Sequence, residues 1–279
     1  MNQRPMHLLK MKRPTKAMTF SLTVLGSNSA IPTLQRNPSA HLLNVNERLF
    51  LIDCAEGTQL QLRKYRIHFQ RIKHIFISHL HGDHYFGLLG LLTSFHLLGR
   101  KDEVHLYSNP VLEQILMMQL DASQTRLIYP LHFHYLKGTT LDMIYEEHRL
   151  SVYAFPLKHS IPTWGFLFRE RNPPRKIPAA RSYAYCSDTA YDETIIPYIF
   201  GVDLLYHETT FMQHMKRAAI EKLHSTTLDA AAIAEKAHVH RLLIGHFSAR
   251  YEELEPLLAE TRSRFPETIL AEDGLIINI

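Results

Sequence analysis

Ser78-His79-Leu80-His81-Gly82-Asp83-His84 places three histidines and one aspartate within six residues. The segment follows the apolar run 74–77, which predicts a buried strand. His79 and His81 lie on the same side of an extended backbone, because side chains alternate between its two faces. Gly82 permits a tight turn, from which Asp83 and His84 follow. Two pairs of ligands at one strand end fit two adjacent metal ions, and imidazole with carboxylate favours zinc, with manganese or iron as alternatives.

A chance cluster in a polar loop is the competing interpretation, since the chain contains 19 histidines. The order His-x-His-x-Asp-His behind an apolar strand favours the metal site. Three more candidate ligands, His159, Asp188 and His246, each stand where an apolar strand is predicted to end. Any one of them alone would be interpreted as a loop residue, but three such positions downstream of the first segment favour a shared site.

The composition is that of a globular protein of 279 residues, with 46% apolar and 21% charged side chains. No apolar run is long enough to span a bilayer, so no membrane partner is expected. Residues 1–18 carry five basic side chains and no acid, and predict a basic N-terminal tail rather than a secretory signal. Only two cysteines occur, Cys54 and Cys186, which argues against a disulfide scaffold and favours the reducing cytoplasm.

Short β-rich runs alternate with helical stretches from residue 19 to residue 279, which predicts one α/β domain. Two similar halves, near 19–140 and 150–279, predict two sheets packed face to face with helices outside. The net charge of +4 is compatible with a polyanionic substrate but is weak evidence for one.

The chain resembles the metallo-β-lactamase superfamily and, within it, the ribonuclease Z family of tRNA 3′-processing endoribonucleases. The resemblance runs from about Thr19 to the C-terminus and includes the segment 78–84. Its more specific motifs are His207-Glu208-Thr209-Thr210, His224-Ser225-Thr226 and the segment 245–251. The resemblance implies a four-layer αββα sandwich with two mixed sheets at its centre.

The resemblance also implies a role for each matching residue, with two Zn²⁺ per chain. One ion would be held by His79, His81 and His159, the other by Asp83, His84 and His246, with Asp188 bridging both. Asp53 would orient a ligand from behind. The implied catalytic groups are Asp83, Glu208 and His224, with Glu208 keeping His224 protonated near the scissile phosphate. The implied substrate contacts are Ser225, Thr226, Ser248 and Arg250.

Several of these roles have structural alternatives. Asp53 suits the N-cap of the helix that follows it, and Glu208 could be a surface acid. Ser225 or Thr226 could cap the next helix. The remaining histidines, among them His132 and His134, are interpreted as surface or packing residues.

Between Leu167 and Ser187 the chain departs from the family, whose bacterial members carry a long arm that grips tRNA, usually across a homodimer. Here about twenty residues intervene, so the arm is expected to be shortened or absent. The expected partners are precursor tRNA or another RNA and a second copy of the chain. The alternative functions are a dinuclear-zinc phosphodiesterase for small or cyclic diesters and a metal-stabilised RNA-binding scaffold without catalysis.

Overall fold

The computed structural model describes residues 19–172 and 180–279. The predicted basic tail, residues 1–18, lies outside the described residues, as does 173–179 within the shortened segment. None of the helices in the described ranges is long and apolar enough to cross a membrane.

Fourteen strands form two seven-stranded sheets in the described ranges. In chain order the strands are β1 (Phe20–Gly26), β2 (Ala40–Val45), β3 (Arg48–Ile52), β4 (Ile72–Phe76), β5 (Val104–Ser108), β6 (Leu131–Tyr135), β7 (Asp142–Glu146), β8 (Leu150–Leu157), β9 (Thr163–Glu170), β10 (Ser182–Cys186), β11 (Leu204–Glu208), β12 (Leu242–Gly245), β13 (Thr268–Leu270) and β14 (Ile276–Asn278). The helices are α1 (Thr58–Lys64), α2 (Gly82–Tyr85), α3 (Leu88–Leu97), α4 (Val111–Ala122), α5 (Ile196–Ile199), α6 (Lys216–Lys222), α7 (Thr227–Lys236) and α8 (Glu255–Arg262). Short 3₁₀ turns lie at 69–71, 193–195 and 213–215.

The two sheets have the same plan. The first has the order β14-β1-β2-β3-β4-β5-β6, and the second β13-β12-β11-β10-β9-β8-β7. In each sheet one group of strands pairs antiparallel and the other parallel, so both sheets are mixed. This arrangement confirms the predicted αββα class. The last strand, β14, pairs with β1, so the C-terminal end of the described chain completes the first sheet.

The alternating side chains of β3 belong to two hydrophobic cores, one on each face of the first sheet. Phe50 and Ile52 face the second sheet and belong to the core between the sheets. Leu49 and Leu51 point the other way and pack with the helix residue Leu91 in a second core. Because both faces are covered, such a strand is a continuous apolar run without polar alternation.

The elements around the metal-type segment differ from the prediction. Strand β4 ends at Phe76, one residue before the apolar run 74–77 ends. The apolar stretch 86–98, also predicted from the sequence to be helical, is helical from Leu88 to Leu97 as α3, and α2 is a separate short helix that ends at Tyr85 before it. Gly87 lies so close to the neighbouring loop that a Cβ atom there would be 2.1 Å from the carbonyl oxygen of Ala55. The division lets α2 carry Asp83 and His84, while α3 packs its apolar face on the first sheet.

Candidate metal centre

Seven side chains from five segments meet in one cleft at the ends of the two sheets. His79 and His81 come from the loop after β4, and α2 supplies Asp83 and His84. The other three, His159, Asp188 and His246, lie just after β8, β10 and β12. The ligand atoms form groups in which all lie within 4.8 Å of one another: His79, His81, His159 and Asp188 in one, Asp83, His84 and His246 in another.

The first group is compact. His81 Nδ1 lies 3.0 Å from His79 Nε2 and 3.2 Å from His159 Nε2. Asp188 Oδ2 lies 3.6 Å from His79 Nε2 and 3.7 Å from His159 Nε2. Ligands about 2.0–2.1 Å from a tetrahedral zinc ion are roughly 3.3 Å apart, so these spacings fit one ion.

The second group shares Asp188 through its other oxygen. Asp188 Oδ1 lies 3.2 Å from His84 Nε2 and 3.1 Å from His246 Nε2. Asp83 Oδ2 lies 3.6 Å from His84 Nε2 and 3.5 Å from His246 Nε2. The carboxylate of Asp188 therefore divides its two oxygens between two sets of imidazoles, which is the geometry of a bridging ligand.

Three of the imidazole rings use one nitrogen in a hydrogen bond on the side away from the cleft. The other nitrogen of each ring is then free to face the cleft. His84 Nδ1 donates to Asp53 Oδ2 at 2.7 Å, and His246 Nδ1 donates to Thr210 Oγ1 at 2.9 Å. His159 Nδ1 donates to the carbonyl of Leu223 at 3.0 Å. The Nε2 atoms of His84 and His246 are buried and have no hydrogen-bond partner among the described residues. Buried lone pairs of this kind fit a divalent cation.

The backbone is strained where ligands leave the strands. Asp188 has φ 55° and His246 has φ 58°, in the left-handed region that β-carbon sterics disfavour. Asp53, just after β3, has φ 56°. Such conformations persist only where surrounding contacts enforce them, and they are concentrated at functional sites.

Asp53 lies behind the ligands rather than at a helix end. Its Oδ1 accepts from the amide of Ser78 at 2.8 Å. Its Oδ2 accepts from the Ser78 and Tyr185 hydroxyls as well as from His84. Helix α1 has Gly57 as its N-cap, so the capping alternative for Asp53 is wrong.

Glu208 and His224 form a buried pair beside the second group. Glu208 Oε1 lies 2.7 Å from His224 Nδ1, and the carboxylate also accepts from the amides of Thr189 and Thr210. Burial alone would lower the pKa of His224, but the charge and hydrogen bond of Glu208 outweigh it and raise the pKa to about 9. Glu208 is fully buried, so the surface-acid alternative is wrong.

The four expected substrate contacts divide into two kinds. Ser225 and Thr226 are fully buried. The Ser225 hydroxyl donates to the carbonyl of Thr189, and Thr226 is the N-cap of α7, in a capping box with Asp229. These two residues therefore have structural roles, and the expectation of substrate contact is corrected for both.

Ser248 and Arg250 remain accessible. Arg250 is exposed, its Nε donates to Ser248 Oγ at 3.0 Å, and its guanidinium lies 5.1 Å from the centre of the Phe211 ring. This arrangement holds a positive charge in place on the surface.

The cleft contains residues that the sequence did not single out for the site. A cavity of about 620 Å³ lies over the ligands, and its lining includes Ile31, Phe86 and Lys222. The Phe86 side chain is 66% exposed. The amide of Ala30 donates to Asp83 Oδ2 at 2.7 Å, so the loop that follows β1 contributes to the site through its backbone. In the sequence, the available signal for Phe86 is its position directly after His-x-Asp-His-Tyr.

Comparison with known proteins shows which family the chain belongs to. Ribonuclease Z of Parabacteroides distasonis is 41% identical over 301 aligned positions, which cover 93% of this chain and 99% of that protein. The chain belongs to the ribonuclease Z family. Residues 20–255 also match the family model described as Anti-Pycsar protein Apyc1, so it belongs to that family as well. The family resemblance predicted from the motifs is thus confirmed.

Solved structures agree with the ribonuclease Z assignment. Human tRNase Z, short form, has a TM-score of 0.80 at 31% identity, covering 92% of this chain and 98% of that one. The metallo-β-lactamase fold protein YhfI of Bacillus subtilis has a TM-score of 0.77 at 17% identity, covering 94% and 100%, and supports the fold alone. With the His/Asp cluster, membership of this family indicates a metal cofactor.

Proposed function

We propose that this ribonuclease Z family protein is a zinc-dependent endoribonuclease that removes the 3′ trailer from precursor tRNA. The products would be a tRNA with a 3′-hydroxyl and a trailer with a 5′-phosphate. The observation that carries the proposal is the carboxylate of Asp188, whose two oxygens face two imidazole groups in a chain 41% identical to a ribonuclease Z. The tRNase Z neighbour supports tRNA as the substrate.

The donor set fits two Zn²⁺ ions, with His79, His81 and His159 on one, Asp83, His84 and His246 on the other, and Asp188 on both. When bound, such ions would neutralise charge on phosphoryl oxygens and would lower the pKa of water, so that hydroxide is available to attack phosphorus at neutral pH.

His224 supplies the proton that the leaving group needs. Glu208 holds its Nδ1, which leaves Nε2 for the cleft, and His224 lines the cavity over the ligands. The raised pKa keeps the ring protonated at neutral pH. His224 therefore donates to the departing O3′, while Glu208 stabilises the charged ring before the transfer.

Lys222 lines this cleft, and Arg250 lies over the Phe211 ring, whose centre is 6.2 Å from that of His224, so both place positive charge where an RNA backbone would pass. The segment between β9 and β10 is too short for a long arm. The alignment of 301 positions includes 93% of the 279 residues, so the relative carries residues that this chain lacks, as a shortened arm would require. On the family resemblance we also propose that the protein forms a homodimer and is located in the cytoplasm. Light scattering of the purified protein would test the homodimer.

The decisive experiment incubates purified, metal-analysed protein with end-labelled precursor tRNA and maps the cut. Cleavage at the 3′ end of the tRNA body with the stated end groups supports the proposal, and chelation should abolish it. Hydrolysis of a chromogenic diester without cleavage of precursor tRNA would overturn it in favour of the small-diester alternative, which these relatives do not favour. Absence of both activities in metal-loaded protein would revive the binding scaffold.

A further inference from the structure

One carboxylate outside the proposed metal ligands, that of Asp273 between β13 and β14, accepts five hydrogen bonds. Its Oδ1 accepts from the amide of Ser27 at 3.1 Å and from the Ser27 hydroxyl at 2.9 Å. Its Oδ2 accepts from the backbone amide of Asn37 at 2.8 Å and from Asn37 Nδ2 at 3.0 Å. Gln61 Nε2 donates to the same oxygen at 2.9 Å. All of these partners are donors, so a group with two acceptor oxygens and no donor satisfies them together.

Asp273 thereby holds both ends of one loop. Residues 27–37 make up most of the connection from β1 to β2, and Ser27 and Asn37 are the first and last residues of this loop. The amide of Asn28 also donates to the carbonyl of Asn37 at 3.0 Å, which closes the loop at its base. Because both ends are bound to a single side chain, the separation of the two ends is fixed.

The backbone around Asp273 is itself fixed by the first sheet. The amide of Gly274 donates to the carbonyl of Val24 at 2.8 Å, and the amide of Val24 donates to the carbonyl of Leu275 at 3.0 Å. Gly274 has φ 95°, and a Cβ atom there would lie 2.6 Å from the ring of Tyr65. The turn therefore requires glycine next to Asp273, and it presents the carboxylate to the loop from a defined position.

Between its two ends, the loop 27–37 contacts the second group of proposed ligands. The amide of Ala30 donates to Asp83 Oδ2 at 2.7 Å, and this oxygen lies 3.5 Å from His246 Nε2. The amide of Ser29 donates at 3.0 Å to the carbonyl of Phe247, the residue directly after His246. The loop therefore adjoins two of the ligands proposed for one ion.

The first group of proposed ligands has no such contact. The side-chain hydrogen bonds of His79, His81 and His159 in the described ranges go to one another, to Ser78 and to the carbonyl of Leu223. A change in the loop 27–37 should therefore affect the two ions unequally.

The contact with Asp83 depends on an unfavourable backbone conformation at Ala30. Its φ is 62°, in the left-handed region that β-carbon sterics disfavour. Such a conformation persists only where surrounding contacts enforce it. The two held ends supply such contacts, together with Asn28, whose side chain donates to the carbonyl of Ile31 at 2.7 Å. Release of the ends should therefore let the Ala30 amide turn away from Asp83.

We propose that Asp273 is a positioning residue for the metal ion held by Asp83, His84 and His246. It acts through the loop 27–37, which sets the amide of Ala30 against Asp83, and it touches neither the ions nor the substrate. The inference rests on the proposed nuclease centre, whose second ion it concerns. The competing interpretation is that Asp273 only stabilises the fold, which would favour neither ion.

Competition with a chromogenic chelator, in protein loaded with Zn²⁺, measures the affinity of each ion. Asp273→Asn should weaken one ion by about 10-fold and leave the other unchanged, because an NH₂ group would replace one acceptor oxygen. Glu272→Gln is the matched control, since it removes the same charge from the adjacent, exposed residue and should leave both affinities unchanged. Ser27→Ala removes one of the five hydrogen bonds and should weaken the same ion by a smaller factor, which keeps the proposal testable if Asp273→Asn does not fold.

Two double variants test the route through Asp83. In an Asp83→Ala background the contact with the loop is already lost, so Asp273→Asn should cause no further loss of Zn²⁺ affinity. In a His81→Ala background, which affects the other ion, Asp273→Asn should still weaken the second ion by about 10-fold. Equal weakening of both ions, unchanged affinities, or a further loss in the Asp83→Ala background would each overturn the proposal.

Hydrogen–deuterium exchange of metal-free protein separates this proposal from that of the nuclease. Asp273→Asn should speed exchange of the amides in 27–37, whereas Glu272→Gln should not. Unchanged exchange in Asp273→Asn, beside normal binding of Zn²⁺ by the wild type, would overturn the positioning role alone. A wild type that bound no Zn²⁺ would overturn the nuclease proposal and the positioning role with it.

Discussion

Asp53 shows how one side chain outside the ligand set can hold the centre in shape. It fixes the His84 ring and the Ser78 backbone at once, from a left-handed conformation. The sequence placed it behind the ligands by resemblance but could not exclude an N-cap, because both roles suit an aspartate between a strand and a helix. The structure decides between the two roles, because the N-cap of α1 is Gly57 and not Asp53.

Asp53→Asn should weaken metal binding by about 10–100-fold, because the neutral amide cannot reproduce the charge and the acceptors that orient His84. Asparagine tolerates the left-handed backbone, so the fold should be retained. Competition with a chromogenic chelator measures the change. Tyr185→Phe is the control, since it removes one hydrogen bond to Asp53 and keeps the charge. An unchanged metal affinity in Asp53→Asn would show that Asp53 does not stabilise the metal centre.

His224→Ala should keep its metal content and lose most of the cleavage rate, because the ring is the proposed proton donor and not one of the seven proposed ligands. In the wild type, kcat should fall at high pH as His224 loses its proton. Glu208→Gln removes the charge that raises the pKa, so this fall should move to lower pH. Bound cations lower the pKa of His224 in both proteins, so the comparison of their kcat profiles is the test. Profiles that superimpose would contradict the role of Glu208.

Beyond the general alternation of strands and helices, the sequence indicates individual elements well where apolar residues cover both faces of a strand, as at 74–77, and poorly elsewhere. Strand β7 was missed because its segment, Asp-Met-Ile-Tyr-Glu, lies at a sheet edge with most of its residues exposed or half-buried. Helix α6 was missed because it is short and buries only Ala219. The division of α2 from α3 depends on the close approach of Gly87 to another loop, a tertiary contact with no local signal.

Gly87→Ala should lower the free energy of unfolding by about 1–3 kcal/mol, because the new Cβ would meet the backbone oxygen of Ala55. Gly90→Ala is the matched control three residues later. Its Cβ would have no neighbour closer than 3.9 Å, and Gly90 lies in α3, so alanine should stabilise by roughly 0.5–1 kcal/mol. Urea denaturation measures both. Equal effects at the two positions would show that the loop accommodates the methyl group.

In the whole molecule, the two sheets are joined by the proposed metal ligands as well as by the core between them. The segment 79–84 belongs to the first sheet's half, whereas His159, Asp188 and His246 follow strands of the second. The sequence predicted the αββα class and this convergence because strand ends of such sheets collect polar residues. It could not predict distances, since these depend on how the sheets pack.

Removing the metal should therefore lower the Tm of the entire domain in one transition. An ion at about 1,000 times its Kd stabilises the folded state by about 4 kcal/mol, which chelation removes. Calorimetry with and without chelator measures the shift. Asp188→Ala, which lacks the shared ligand, should show a much smaller shift. A chelator effect as large in that variant as in the wild type would place the bound ion elsewhere.

Acid should destabilise the fold through His41, which is buried between the sheets against Tyr183, Tyr185 and Tyr206. Burial lowers its pKa to about 3, below the unfolded value near 6.5. The stabilisation is complete above pH 6.5 and is lost toward pH 3, at about 1.4 kcal/mol per pH unit. His41→Asn should reduce the slope of unfolding free energy against pH by that amount. An identical slope would show that His41 has the same protonation state in the folded and the unfolded protein.

The wide spacing of the ligands along the chain has a consequence for synthesis. A ribosome that has delivered the first sheet's early strands has exposed only one side of the cleft, and about 160 residues separate His84 from His246. Translation must pass the twelfth strand before a nascent chain can capture its ions fully. A growing or prematurely terminated product therefore stays inert toward the cell's RNA.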